Sequence, residues 1–144
     1  MTSIVDLIKH HEGFRANAYT CPVGKLTVGY GRNLDDKGLT ESEADYLLSN
    51  DIQTSISELS RKIEYRNLKD PIRRAVLIDM HYNLGITRLN GFKKMWAAIS
   101  DQDFNRAADE MRDSRWAKQV RSRADRLIGM MKTGKWPDDV PATE

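Results

Sequence analysis

The spacing of the apolar residues changes at Gly13, and that change sets the fold class. Upstream, Ile4, Leu7, Ile8 and His11 fall on one face at helical spacing. Ser3, with Asp6 three positions on, can form a capping box. A helix is therefore expected over residues 3–11, with Gly13 as its stop and Glu12 at its C-terminal end. From Phe14 to about Leu34, aromatic, Thr and Val residues alternate with polar ones, and Pro22, Gly24, Gly29 and Gly31 punctuate the run. That pattern predicts a small antiparallel sheet with a turn near residues 22–25. Helical spacing then returns. The expected fold is α+β and mainly helical: a small N-terminal sheet lobe joined by a long helix to a helical-bundle lobe.

The long helix starts at the Thr40-x-x-Glu43 capping box and carries Ala44, Leu47, Leu48, Ile52, Ile56, Leu59 and Ile63 at three- and four-residue steps. Asp70-Pro71 opens another helix, apolar on nearly all sides to Leu84, which should be central and buried. Short helices follow at 92–99, 104–111, 115–120 and 124–131, and the tail from Gly134 to Glu144 reads as irregular. Trp96, Trp116 and Trp136 are expected in the core. With 144 residues, a single domain in two lobes is expected. Residues 14–58 would form the small lobe with its connecting helix, and 1–13 plus 59–144 the helical lobe.

Charge and cysteine content narrow the setting. The net charge of +2 permits attraction to anionic polymers without demanding it. Cys21 is the only cysteine, so the chain makes no internal disulfide and a reducing cytoplasm is expected. Ile4, Val5, Leu7 and Ile8 are broken by Asp6 and followed by Lys9, which is neither a signal peptide nor a membrane anchor. His10, His11 and His81 lack metal-ligand spacing, so no metal and no cofactor are expected.

One constellation carries chemistry. Glu12 closes the first helix, Cys21 follows at the start of a turn, and Thr27 lies on the next strand. A carboxyl facing a cleft can deliver a proton to a leaving oxygen. Glycoside cleavage needs that proton, and on the other face of the sugar a group that readies water or attacks directly. Thr27 can hold a water through its hydroxyl. Cys21 can orient water, act as a base once ionised, or attack as a nucleophile; an ordinary thiol, with a pKa of about 8.5, is mostly protonated at neutral pH. The plain alternative is that Glu12 is a surface carboxylate paired with a basic neighbour.

The segments His11-Glu12-Gly13-Phe14-Arg15, Ala18-Tyr19 and Leu26-Thr27-Val28-Gly29-Tyr30-Gly31 resemble the N-terminal signature of the bacteriophage T4-type lysozymes, endolysins of glycoside hydrolase family 24. Arg73-Arg74-Ala75, Asn83-Leu84-Gly85, Gly91-Phe92, Ser114-Arg115-Trp116, Arg123-Ala124 and Thr133-Gly134-Lys135-Trp136 are similar to that family in the same order. The resemblance implies a two-lobed fold with a cleft. It also implies hydrolysis of the β-1,4 bond between N-acetylmuramic acid and N-acetylglucosamine in bacterial peptidoglycan. By the same resemblance Glu12 is the general acid, Cys21 stands where many members have aspartate, and Thr27 helps hold the attacking water. It further implies host cell lysis by a monomer that waits in the host cytoplasm for a membrane-permeabilising partner such as a holin. The sequence departs from the family at Arg32, where a histidine is common, and in a shortened segment between Gly31 and Thr40.

Five further residues are candidate substrate contacts, each with a structural alternative. Tyr82 could line the cleft or sit in the core. Asn83 could bond substrate or finish a helix. Ser114 and Arg115 could face sugar or serve as cap and surface charge. Arg123 aligns with a family arginine that pairs with the catalytic acid. The basic stretch from Arg112 to Lys135, opposed only by Asp113 and Asp125, suits a solvated face, an envelope-binding surface or a nucleic-acid binder. The rival functions are thus a small basic helical nucleic-acid binder and a peptidoglycan-binding protein without catalysis. The nucleic-acid reading is set aside because no recognition-helix motif is present and it leaves Glu12, Cys21 and Thr27 without a role.

Overall fold

The computed structural model describes residues 1–142. The order of elements is helix α1 (Ile4–Glu12), strands β1 (Arg15–Thr20), β2 (Leu26–Gly29) and β3 (Arg32–Asn33), then helices α2 (Glu41–Leu59), α3 (Ile63–Asn67), α4 (Pro71–Leu84), α5 (Ile86–Asn90), α6 (Lys93–Ser100), α7 (Phe104–Arg112) and α8 (Arg115–Thr133). The fold is α+β and mainly helical. Its contacts divide it into two compact units, Met1–Leu48 and Ser49–Glu144, with the division falling inside α2 and α1 grouped with the sheet. Thr143 and Glu144, the end of the expected irregular tail, lie outside the described residues.

The first unit is built from local signals. Ser3 Oγ accepts the Asp6 N–H at 3.1 Å and the Asp6 carboxylate accepts the Ser3 N–H at 2.9 Å, which starts α1. Gly13 ends it at φ +70°, a conformation that disfavours any side chain. The sheet is antiparallel in the order β1-β2-β3, with Tyr19 opposite Thr27 and Thr27 opposite Asn33. Cys21 and Gly24 close the first hairpin: the Gly24 N–H donates to the Cys21 carbonyl at 2.8 Å and the Cys21 N–H to the Lys25 carbonyl at 2.9 Å. The expected capping box forms at α2, where Glu43 and Thr40 exchange bonds of 2.9 and 3.1 Å.

The second unit holds the apolar core, centred on Leu59, Val76, Leu77, Met80, Leu89, Met95, Met111 and Met131. Asp70 caps α4 through the Ile72 N–H at 2.9 Å. One polar chain runs through this packing: Ser55 Oγ lies 2.7 Å from His81 Nδ1, and His81 Nε2 lies 2.7 Å from Glu58. The Arg73 guanidinium accepts the role of a cap, donating to the Met131 and Lys132 carbonyls at 2.7 and 3.0 Å at the end of α8.

Several boundaries differ from those expected. The long helix stops at Leu59, not Ile63, because the Ser60 hydroxyl donates to the Ile56 carbonyl at 2.7 Å and the chain tightens to three-residue bonds at Arg61 and Lys62. Two short helices, α3 and α5, were not expected. The expected helices at 115–120 and 124–131 both form, as the two halves of α8 on either side of a kink at Arg121 (φ 28°, ψ −91°). Trp96 and Trp116 are buried, but Trp136 is 62% exposed, since Gly134 turns the chain off α8 before it.

Candidate active site

The three expected catalytic side chains all belong to the first unit. Glu12 is the last residue of α1, exposed, with its side chain lying over the turn between β2 and β3. The contact is close: a Cβ built on Gly31 would fall 2.5 Å from Glu12 Oε2 and 2.6 Å from its Cδ. Gly31 also has φ +70°. The backbone angle favours glycine there, and a side chain at that position would displace the Glu12 carboxyl. The chain leaving α1 continues this attachment, since Arg15 pairs with Gly29 on β2.

Cys21 and Thr27 meet at the other end of the same hairpin. Thr27 sits on central strand β2, is 4% exposed, and donates its hydroxyl hydrogen to the Lys25 carbonyl at 2.9 Å. With that hydrogen committed, the oxygen is left as an acceptor. Cys21 is partly buried. Its thiol is held below the ordinary value, first by the Lys25 backbone N–H, then by that of Val23, with the Thr27 hydroxyl adding and burial opposing. The Thr27 hydroxyl has one hydrogen and two acceptors, so ionisation of the thiol can turn it from the carbonyl to the sulfur. The turn that places Cys21 is therefore also what favours its thiolate.

Arg32, where the resemblance gave no guidance, makes three hydrogen bonds. Its guanidinium forks onto the Glu43 carboxylate, Nη1 to Oε1 at 2.9 Å and Nη2 to Oε2, and Nη1 also donates to the Gly38 carbonyl at 3.1 Å. The guanidinium first, and the Thr40 N–H second, lower the Glu43 carboxyl to about 2. The shortened segment after Gly31 is pinned as well: Asp35 accepts the Leu26 N–H at 2.7 Å, and Lys25 pairs with Asp36 at 3.2 Å.

Residues 9–132 match the phage lysozyme family. The chain belongs to that family. It is a glycoside hydrolase, a lysozyme, as expected from its signature segments. It is 27% identical to probable T4-type lysozyme 1 of Dictyostelium discoideum, over 93% of this chain and 96% of that one. It is 29% identical to an endolysin of Acyrthosiphon pisum secondary endosymbiont phage 1, over 88% of this chain and 86% of that one.

In this lysozyme the five other candidate residues lie in the second unit, in differing states. Tyr82 is half-exposed near the end of α4, and Arg115 is exposed at the start of α8. Asn83 accepts the Trp116 indole N–H at 2.8 Å. Ser114 caps α8, accepting the Ala117 N–H at 3.1 Å while donating to the Met111 carbonyl at 2.6 Å. Arg123 donates to Asp79 at 2.7 Å. Sequence reasoning missed Gly31 as the floor under Glu12 and the Arg32–Glu43 pair. Gly31 carried a signal, the Gly-x-Gly spacing; the pair carried none beyond its opposite charges.

Proposed function

We propose that this lysozyme acts as an endolysin. It would hydrolyse the β-1,4 bond between N-acetylmuramic acid and N-acetylglucosamine in bacterial peptidoglycan, with Glu12 as general acid. The observation that carries the reading is the seating of the Glu12 carboxyl on Gly31, at one end of the β1–β2 hairpin whose other end joins Cys21 to Thr27. Glu12 gives its proton to the glycosidic oxygen as the bond to the anomeric carbon breaks. A water oxygen bonds that carbon from the opposite face. One of its protons passes to the Cys21 thiolate and the other points at the Thr27 oxygen. The donors around Cys21 favour a resident base over an unreactive thiol. Attack by water inverts the anomeric configuration.

Tyr82 and Arg115 are proposed as substrate contacts because both are exposed. Asn83, Ser114 and Arg123 would contact substrate through what their present bonds leave open. No described helix is long and apolar enough to cross a membrane. We take the enzyme to act as a monomer, held in the host cytoplasm until a permeabilising partner such as a holin admits it to the wall. Product analysis tests the reading. Digested peptidoglycan should show new reducing ends on N-acetylmuramic acid, with the inverted anomer formed first in proton NMR. New reducing ends on N-acetylglucosamine, or an initial retained anomer, would overturn it.

A further inference from the structure

We propose that Arg32 and Glu43 are positioning residues for the general acid, acting through Gly31, an inference that rests on the proposed role of Glu12. The turn before β3 is tied to the start of the sheet and to α1 through Tyr30, whose ring lies 5.7 Å from that of Phe14 and 5.2 Å from Lys9 Nζ, but these contacts do not reach α2. β3 has two residues, too few to fix its own place by pairing, and it is the edge strand of the sheet. Yet the turn that leads into it carries Gly31, where the space a Cβ would take is occupied by the Glu12 carboxyl. A shift of the turn moves the surface on which the acid rests.

Arg32, the residue after Gly31, supplies the restraint toward α2. Its planar fork takes both oxygens of Glu43, a geometry a point charge would not enforce. Its remaining capacity reaches the Gly38 carbonyl at 3.1 Å. Glu43 is itself immobilised, because it is the capping-box residue of α2 and accepts the Thr40 N–H at 2.9 Å. Arg32 therefore fastens the turn under Glu12 to the first turn of a 19-residue helix. The bonds of Asp35 and Asp36 to Leu26 and Lys25 secure the far end of the following loop to β2, not the turn at Gly31 to α2. The Glu43 carboxyl, lowered to about 2, stays ionised throughout any practical assay range, so the clamp does not itself titrate there.

The test compares Arg32→Ala, Arg32→Lys and Glu43→Gln with the native enzyme on peptidoglycan fragments, below the melting temperature of each. Arg32→Ala should lower kcat by about 10- to 100-fold, the scale of a misplaced catalytic group, with KM within about twofold. Glu43→Gln should follow it, and Arg32→Lys should recover only part of the loss. In a Gly31→Ala background, where the acid is already displaced, Arg32→Ala should cost little more. Should Arg32→Ala fail to fold, the two milder variants carry the comparison. Native kcat in Arg32→Ala or Glu43→Gln, or losses that add to those of Gly31→Ala, would overturn the clamp while leaving Glu12 in place. Equal clearing by native enzyme and Glu12→Gln would instead remove the acid, and the clamp with it.

Discussion

Gly31→Ala separates catalytic geometry from stability. The added methyl would fall 2.5 Å from Glu12 Oε2, and ordinary contact begins near 3.4 Å, so the carboxyl must retreat by about 0.9 Å. Glu12 is exposed, so its carboxyl can retreat toward solvent at little cost to the fold. The backbone at φ +70° adds about 1–2 kcal/mol for any residue with a Cβ. The melting temperature should therefore fall by roughly 3–8 °C. A general acid displaced by nearly 1 Å should lose about 100-fold in rate. Gly85→Ala is the control: its φ of +81° also strains any residue with a Cβ, but its Cβ would meet nothing within 4 Å. Clearing of peptidoglycan suspensions, read alongside thermal melts, should show two destabilised proteins of which only Gly31→Ala is slow. Native clearing by Gly31→Ala, or equal slowing of both, would refute the assignment of that contact.

Two further outcomes follow from the charges. Iodoacetamide should label Cys21 with a pH midpoint below the ordinary thiol value and slow lysis as it does so; full activity with the bulky adduct in place would remove Cys21 from the site. Glu43 is a carboxyl whose folded value is depressed, so its contribution is present above its ordinary 4.5 and is lost as pH falls towards about 2. Acid melts of the native enzyme should steepen across that window, and those of Glu43→Gln should be flatter there; identical acid profiles would contradict the ion pair.

What the sequence makes legible is what short-range chemistry decides. The caps at Ser3, Thr40 and Asp70 each need only a side chain and an N–H a few positions away, and all three form as expected. The placement of Glu12 at a helix end, and of Cys21 and Thr27 on one hairpin, follows from the same local rules. The end of α2 was misjudged because apolar spacing runs on to Ile63, while the Ser60 hydroxyl takes the Ile56 carbonyl. The division expected after residue 120 is present as the kink at Arg121, where the backbone leaves helical geometry. Less legible are features that depend on chain segments closing on each other. The Gly31 contact joins residues 12 and 31. The Arg32 fork spans 11 positions to a glutamate already explained by its capping box. Ser55, His81 and Glu58 read as ordinary helix residues until α2 and α4 pack.

The central claim is that Glu12 supplies the proton for bond cleavage. The direct measurement is the rate of peptidoglycan clearing by the native enzyme and by Glu12→Gln, which preserves the side-chain shape and removes the transferable proton. The account predicts that the native enzyme clears the suspension and that Glu12→Gln is slower by about 10²–10⁴-fold while melting normally. Equal rates for the two proteins would contradict it.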